Sequence, residues 1–260
     1  MSWPNPQPGA PVSAGGPAAY DPGLGTAGSQ GTARGGIRRW LLTGVVVVGF
    51  ALAALATAAY FHASLGVVTA LLGVALAVIP VGIVVPTFLW LDRFEAEPTR
   101  YLIAAFLWGA LVAAMVAAIF NSSALLVIQA VTDPSAAQIT TATVVAPIVE
   151  ETCKGLFVVL IWRLRRREFD GITDGMVYAG ITAAGFAFTE NIQYLGQAYS
   201  EGGRELLAAT FVARGLFSPF AHPMFTVLTG VGVGIAATSR SGVVRLVAPL
   251  IGLALAATAH

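Results

Sequence analysis

Glu150, Glu151 and Glu190 stand inside stretches so apolar that they belong in a lipid bilayer, and His222 and His260 stand in two further such stretches. An ionised carboxylate in hydrocarbon costs several kcal/mol or more, so acids at these positions point to function: a proton relay, an ion pathway or acid–base catalysis. In Pro147-Ile-Val-Glu150-Glu151-Thr-Cys-Lys154-Gly155, Lys154 follows Glu150 by one helical turn and Glu151 by three residues, so either pair can close within a helix. A neutralised pair that only holds helices together is one outcome. Two adjacent acids facing one lysine, however, leave one acid without a partner, and an unpaired buried carboxyl suits a general acid or base. Pro147 lacks an N–H, so a local irregularity is expected in the turn before it.

In Phe186-Ala-Phe188-Thr189-Glu190-Asn191 a carboxylate and a carboxamide stand side by side in an otherwise apolar run. Interhelical hydrogen bonding accounts readily for Asn191, at about 1 kcal/mol in a membrane, but a glutamate is a costly way to obtain the same bond. His222, in Phe220-Ala-His222-Pro223-Met-Phe225-Thr226, is by itself more often a packed or pore-lining residue. Set beside carboxylates at the same depth it could activate water, bind a metal or stabilise an oxyanion. His62 has no such neighbours and is expected at an interface.

The elements that carry these residues follow from length. A bilayer core of about 30 Å takes about 20 apolar residues as helix. Residues 40–61, 65–91, 101–120, 143–162, 175–195, 216–237 and 243–260 meet or approach that length. The expectation is an all-α, polytopic transmembrane helix bundle of about seven spans. Gly230, Gly232 and Gly234 resemble a phosphate loop only superficially; inside a span they predict a face for close helix packing.

Orientation is read from basic residues. With the N-terminus cytoplasmic, the inner segments collect Arg34, Arg38, Arg39, Arg93, Arg100, Arg163, Arg165, Arg166, Arg167, Arg240 and Arg245, against Arg204 and Arg214 outside. Counting from the expected span ends, Glu150 then lies about 10 Å below the outer face and Glu190 about 8 Å below it. His222 and His260 fall at a similar depth. Helices running in alternating directions thus bring their polar groups to one level.

Composition supports the same class. The chain is 57% hydrophobic and 10% charged, with a mean hydropathy of +0.79, whereas soluble domains carry about a quarter charged residues. A net charge of +1 implies no nucleic-acid partner, and the single Cys153 allows neither a disulfide framework nor a cysteine metal motif. Residues 1–36 are rich in Pro, Gly and Ala and read as a disordered cytoplasmic tail. Residues 37–260 form the transmembrane domain.

Glu150-Glu151-x-x-Lys154, Phe186-x-x-x-Glu190-Asn191 and His222-Pro-x-Phe-Thr226, in that order on successive spans, resemble the motifs of the PrsW family of intramembrane proteases, distantly related to the CAAX-protease and bacteriocin-processing superfamily. Asp92-Arg93-Phe94-Glu95-x-Glu97-Pro98 and Asp170-Gly171-Ile-x-Asp174-Gly175 match as well. The resemblance implies a protease domain over residues 37–260, a hydrolase of glutamate type or dependent on a divalent metal such as zinc. It implies cleavage of a single-span, anti-sigma-factor-like membrane protein, site-1 type, near the extracytoplasmic face of a bacterial plasma membrane. By position, Glu150 or Glu151 would activate water, with Lys154 beside them. Glu190 and His222 would share or assist that role, and Asn191 or His260 would support the oxyanion. The family pattern continues past its last histidine, so the C-terminal end is expected to be truncated here. The rival reading is a proton- or ion-coupled transporter or channel that uses the same Glu and His residues as a relay.

Overall fold

The computed structural model describes residues 30–166 and 169–260. The described residues contain nine α-helices and no strand: α1 (Gln30–Leu65), α2 (Val67–Leu91), α3 (Thr99–Leu107), α4 (Ala114–Gln129), α5 (Pro134–Thr140), α6 (Ala146–Leu164), α7 (Ile172–Phe211), α8 (Ala221–Thr238) and α9 (Gly242–Ala259). Three π-helical segments, Trp108–Ala113, Thr141–Val145 and Val212–Phe217, join or extend them. The all-helical class agrees with the sequence reading. Residues 1–29 of the expected tail lie outside the described residues, and its border at residue 36 falls inside α1, which is helical from Gln30.

The chain divides into two units, Met1–Val46 and Val47–His260. Of the first, the described part is helical, and Trp40, Leu41, Leu42, Val45 and Val46 are all exposed. Apolar side chains exposed along a helix suit contact with lipid.

Within Val47–His260 the central element is α7, buried at nearly every position from Asp174 to Phe186. A helix covered on all sides lies inside its bundle. Around it pack Val84 and Phe88 of α2, Leu102 and Ala105 of α3, Phe157, Val158, Ile161 and Trp162 of α6, and Val233 and Ala236 of α8. Phe61, Ala77 and Ile192 join α1, α2 and α7 in a second cluster. The glycine face expected on α8 is used for close packing: a Cβ at Gly230 would strike the backbone of Gly175 on α7, and one at Gly232 would strike Ala248 on α9. Such approach gives helices in lipid their dispersion contact. Further along, α7 turns at Gly203, whose φ of 62° is open mainly to glycine.

The span count differs from the expected seven, which is not confirmed. Five helical stretches are long and apolar enough to cross a membrane: Trp40–Leu65, Val67–Leu91, Thr99–Gln129, Ile172–Thr238 and Gly242–Ala259. Ile172–Thr238 takes in α7, the π segment after it and α8, and so covers the two expected runs 175–195 and 216–237. Residues 143–162 drop out because α6 carries Glu150, Glu151 and Lys154, the groups that single it out chemically. Pro80 and Pro86 do not interrupt α2. The irregularity expected before Pro147 is the π segment Thr141–Val145, where a missing proline N–H is accommodated by a wider turn.

The two acidic segments after α2 and before α7 serve as ties. Asp92 accepts the N–H of Glu97 at 3.0 and 3.2 Å, and Glu97 accepts the hydroxyl of buried Tyr178 at 2.7 Å. Asp174 reaches back to accept the N–H groups of Asp170 and Gly171 at 2.8 and 2.9 Å, which satisfies donors left open at the start of α7. These ties hold α7 from its first turn, about 24 Å of helix ahead of Glu190.

Candidate active site

Glu150, Glu151 and Lys154 lie within the first turns of α6, and Glu151 and Lys154 are fully buried. Their helix is anchored by Trp108, whose indole N–H donates to the carbonyl of Cys153 at 3.0 Å. Lys154 Nζ donates to Glu151 Oε1 at 2.8 Å and lies 3.7 Å from Glu150 Oε2. It also sits 4.0 Å from the centre of the Phe186 ring on α7, a cation–π contact. Both ion pairs foreseen for Lys154 are therefore present, with the closer one to Glu151.

His222, in the first turn of α8, bridges two elements. Its Nδ1 is 3.2 Å from Lys154 Nζ and its Nε2 is 2.7 Å from Glu190 Oε2. An ammonium only donates and a carboxylate only accepts, so this pairing puts the ring proton on Nε2 and a lone pair on Nδ1. Arg214, in the π segment after α7, donates through Nη2 to Glu190 Oε2 at 2.5 Å and through Nε to Asn191 Oδ1 at 2.9 Å. Its guanidinium also lies over the Tyr194 ring.

His260 closes the group from the end of α9. Its Nδ1 stands 3.2 Å from Glu151 Oε1 and its Nε2 stands 3.7 Å from Glu150 Oε2. The imidazole stacks on Phe225 and meets the His222 ring edge-on at 5.0 Å. The second oxygen of Glu151 accepts the hydroxyl of Thr226 at 2.8 Å. Glu151 is thus satisfied on both oxygens, whereas Glu150 takes one bond from Asn121 at 3.3 Å and its buried Oε2 has no hydrogen-bond donor among the described residues.

Six of the seven expected residues, Glu150, Glu151, Lys154, Glu190, His222 and His260, meet in one hydrogen-bonded and ionic network. Asn191 is one step removed, with its carbonyl oxygen given to Arg214. His62 is exposed at the end of α1. Three contributors went unread in the sequence. Arg214 counted only as a loop charge, although a cation at the edge of an apolar run was the available signal. Thr226 stands one turn after His222 in the quoted motif, and Asn121 is a lone carboxamide late in the third apolar run.

Two chemical properties follow. Glu150, His222 and His260 can each offer a ligand atom, and these atoms lie within 4.8 Å of one another. Behind each histidine stands a carboxylate, Glu190 for His222 and Glu151 for His260, the arrangement that fixes tautomer and ring orientation in metal-binding histidines. Charge points the same way: among the described residues, Glu150, Glu151 and Glu190 face Lys154 and Arg214 as permanent cations, which leaves one negative charge for a bound cation or a proton to offset. The donor set and the unsatisfied Glu150 oxygen therefore fit a divalent ion such as zinc. Glu150 and Glu190 also line an open cavity of about 790 Å³ bordered by residues of α1, α4, α5, α6 and α7, room enough for a ligand.

The description "PrsW family intramembrane metalloprotease" belongs to a family model that matches residues 97–260. Protease PrsW of Geobacillus kaustophilus (strain HTA426) is 34% identical over 139 residues, covering 54% of this chain and 55% of that protein. Protease PrsW of Clostridioides difficile (strain 630) is 32% identical over 158 residues, covering 60% of this chain and 62% of that protein. The chain thus spans little more than half the length of these curated relatives, and no solved structure matches it. The family match takes in every residue of the network described above and more than half of the sequence, and on that ground the chain belongs to the PrsW family of intramembrane proteases.

Proposed function

We propose that this chain is an intramembrane endopeptidase that hydrolyses a peptide bond of a single-span membrane protein near the extracytoplasmic face of a bacterial plasma membrane, with its own N-terminus in the cytoplasm. An anti-sigma-factor-like substrate cut at a first site fits the family reading. The observation that carries the proposal is the convergence of Glu150, His222 and His260 within 4.8 Å, with Glu151 and Glu190 orienting the two imidazoles. The excess of arginines on one side of the apolar runs supports the orientation.

Glu150, His222 and His260 would hold a divalent ion, which when bound supplies Lewis acidity to a water and to the scissile carbonyl. Lys154 meets the Nδ1 lone pair of His222, so His222 would ligate an ion only with that ammonium turned away from the nitrogen. Glu151 holds His260 through Nδ1 and is itself held by Lys154 and Thr226, which makes it a positioning residue. Glu190 lines the cavity and has its bonds gathered at Oε2, so it is the carboxylate that takes the proton of the attacking water. Arg214, fixed by Asn191, is the donor for the charge that develops on the carbonyl oxygen.

The test is a cleavage assay with the purified, detergent-solubilised chain against single-span substrates, comparing wild type, Glu151→Gln and wild type with chelator. Cleavage by wild type alone is expected. Full activity in Glu151→Gln would remove that residue from the mechanism, and full activity with chelator would argue for a metal-free glutamate reaction. A folded protein that cleaves nothing but moves protons or ions in proteoliposomes would replace the protease reading with transport.

A further inference from the structure

At the end of the bundle where the arginines gather, two aromatic rings are each covered by two guanidiniums. Trp162, in the last turn of α6, is 3% exposed. Arg163 lies over its ring at 4.8 Å from the centre, and Arg245, from the first turn of α9, lies over the same ring at 5.7 Å. The arrangement recurs at Tyr101, where Arg100 in the first turn of α3 stands at 4.8 Å and Arg165, just past α6, at 4.9 Å. An aromatic face attracts a cation but does not neutralise it. Each ring therefore holds two like charges within roughly 10 Å of one another, where they repel. Among the described residues none of these four arginines has a carboxylate within salt-bridge reach. An anion between the guanidiniums supplies the missing counter-charge.

The surroundings of Trp162 select the kind of anion. Gly242–Ala259 is long and apolar enough to cross a membrane and Arg245 lies in its first turn, so the pair of arginines sits where hydrocarbon gives way to headgroups. Leu246 and Leu250, one turn apart on α9, are exposed, and so are Leu160 and Leu164, one turn apart near the end of α6. Apolar side chains beside two guanidiniums match a molecule that carries both acyl chains and a phosphate. The fork of N–H donors suits phosphate oxygens, and basic pockets between membrane helices hold anionic headgroups. A soluble anion would use the charges and none of the apolar surface. A choline lipid brings its own ammonium, which the arginines repel.

We infer that Arg163 and Arg245, set on the Trp162 ring, bind the phosphate of an anionic phospholipid, which bridges the ends of α6 and α9. The two helices run antiparallel, joined at one end by Glu151 and His260 and at the other by Trp162 and Arg245. A lipid seated there fastens the end that the Glu/His network does not reach.

The experiment titrates the full chain in non-ionic detergent with dioctanoyl-phosphatidylglycerol, and in parallel with dioctanoyl-phosphatidylcholine and with inorganic phosphate. Bound lipid is counted by native mass spectrometry, and the unfolding temperature is followed across each titration. The glycerol lipid is expected to bind and to raise the unfolding temperature, and the other two to do neither. Arg245→Gln should weaken the glycerol lipid about fivefold and Arg163→Gln/Arg245→Gln about thirtyfold, from the weight of one and of two arginines at a membrane surface. The single variant keeps the test readable if the double fails to fold. Arg204→Gln, at an exposed position of α7 past Gly203, should titrate as wild type. Equal effects of the two lipids, or unchanged affinity in Arg245→Gln and in the double variant, would overturn the inference. So would a loss in Arg204→Gln as large as in Arg245→Gln, because net charge and not this site would then govern. Phosphate alone reproducing the whole effect would also overturn it, leaving a site for a soluble ion.

Discussion

Glu151 Oε1 stands 3.2 Å from His260 Nδ1, so a fully buried carboxylate near the start of α6 holds the imidazole at the end of α9. The same oxygen accepts from Lys154 at 2.8 Å and the other accepts from Thr226, which gathers α6, α8 and α9 at one point. Charge, hydrogen bonding and helix packing are therefore coupled at Glu151, and separate substitutions should pull them apart.

Lys154→Met leaves Glu151 buried without its closest cation and is expected to destabilise the protein by about 3–5 kcal/mol. The double variant Glu151→Leu/Lys154→Met removes both charges and should recover most of that loss, since apolar replacement of a buried pair is often neutral. Thermal unfolding in one detergent checks both. A double variant as unstable as the single would mean that side-chain shape, and not charge, is what the site requires.

His260→Ala should lower the cleavage rate about 10²–10⁴-fold, the range for losing an acid–base or ligand group. The helical content of α9 should stay, because the ring touches the network from the helix end. Bound metal, measured by elemental analysis, should fall in parallel. Wild-type rates in this variant would exclude His260 from the reacting group.

At Gly230 an added methyl has nowhere to go. Its Cβ would meet the backbone of Gly175, so Gly230→Ala must push α8 away from α7 and is expected to cost about 1–3 kcal/mol. Because α8 carries His222 and α7 carries Glu190, the same shift should reduce cleavage more than a stability loss alone explains. Retained activity at a temperature well below unfolding would show that the site tolerates the displacement. Gly242→Ala, where a Cβ meets nothing, is the control.

The two-point grip of Arg214 on Glu190 and Asn191 is suited to a guanidinium and not to an ammonium. Arg214→Lys should therefore lose activity about tenfold, close to the loss in Arg214→Ala, if a grip on both residues is what counts. Full rescue by lysine would reduce the role to charge alone.

Outside the membrane-spanning stretches, burial pushes the Asp92 carboxyl above its ordinary range, against the N–H of Glu97 that favours the ion and with the neighbouring Asp174 charge adding to the rise. A carboxyl raised by folding stabilises the folded state in acid, below its unfolded value, and that contribution is lost as pH climbs through the raised value. Asp92→Asn, which keeps an acceptor for Glu97, should then melt above wild type near neutral pH, with the gap closing toward about pH 4. A gap that is constant across the series would mean that ionisation of Asp92 carries no folding cost.

Much of this protein was legible in one dimension. Apolar runs of membrane-spanning length could only be helices, since an unpaired backbone is too costly in lipid. Acids within those runs had to be paired or functional, which singled out Glu150, Glu151 and Glu190 before any packing was known. The glycines of α8 read correctly as a packing face because a missing side chain is itself a steric signal.

What the linear pattern could not decide was which partner each group would take. Adjacent Glu150 and Glu151 look alike in sequence, yet Glu151 is satisfied on both oxygens while Glu150 keeps a buried oxygen without a donor. That difference arises because neighbours on a helix point about 100° apart and meet different helices. Arg214 passed for a loop charge because its role depends on a π segment that turns it back over Glu190 and Asn191. The expected seven spans are not confirmed, and a related reason is that counting apolar residues does not see how the charges of α6 pair within that helix and with histidines of α8 and α9. Composition and periodicity determined that this chain is a membrane helix bundle with ionisable groups inside it. Only the tertiary structure decided which groups of α7, α8 and α9 meet the Glu151–Lys154 pair of α6 and where the cavity lies, because those contacts depend on distances between helices and no single helix contains them.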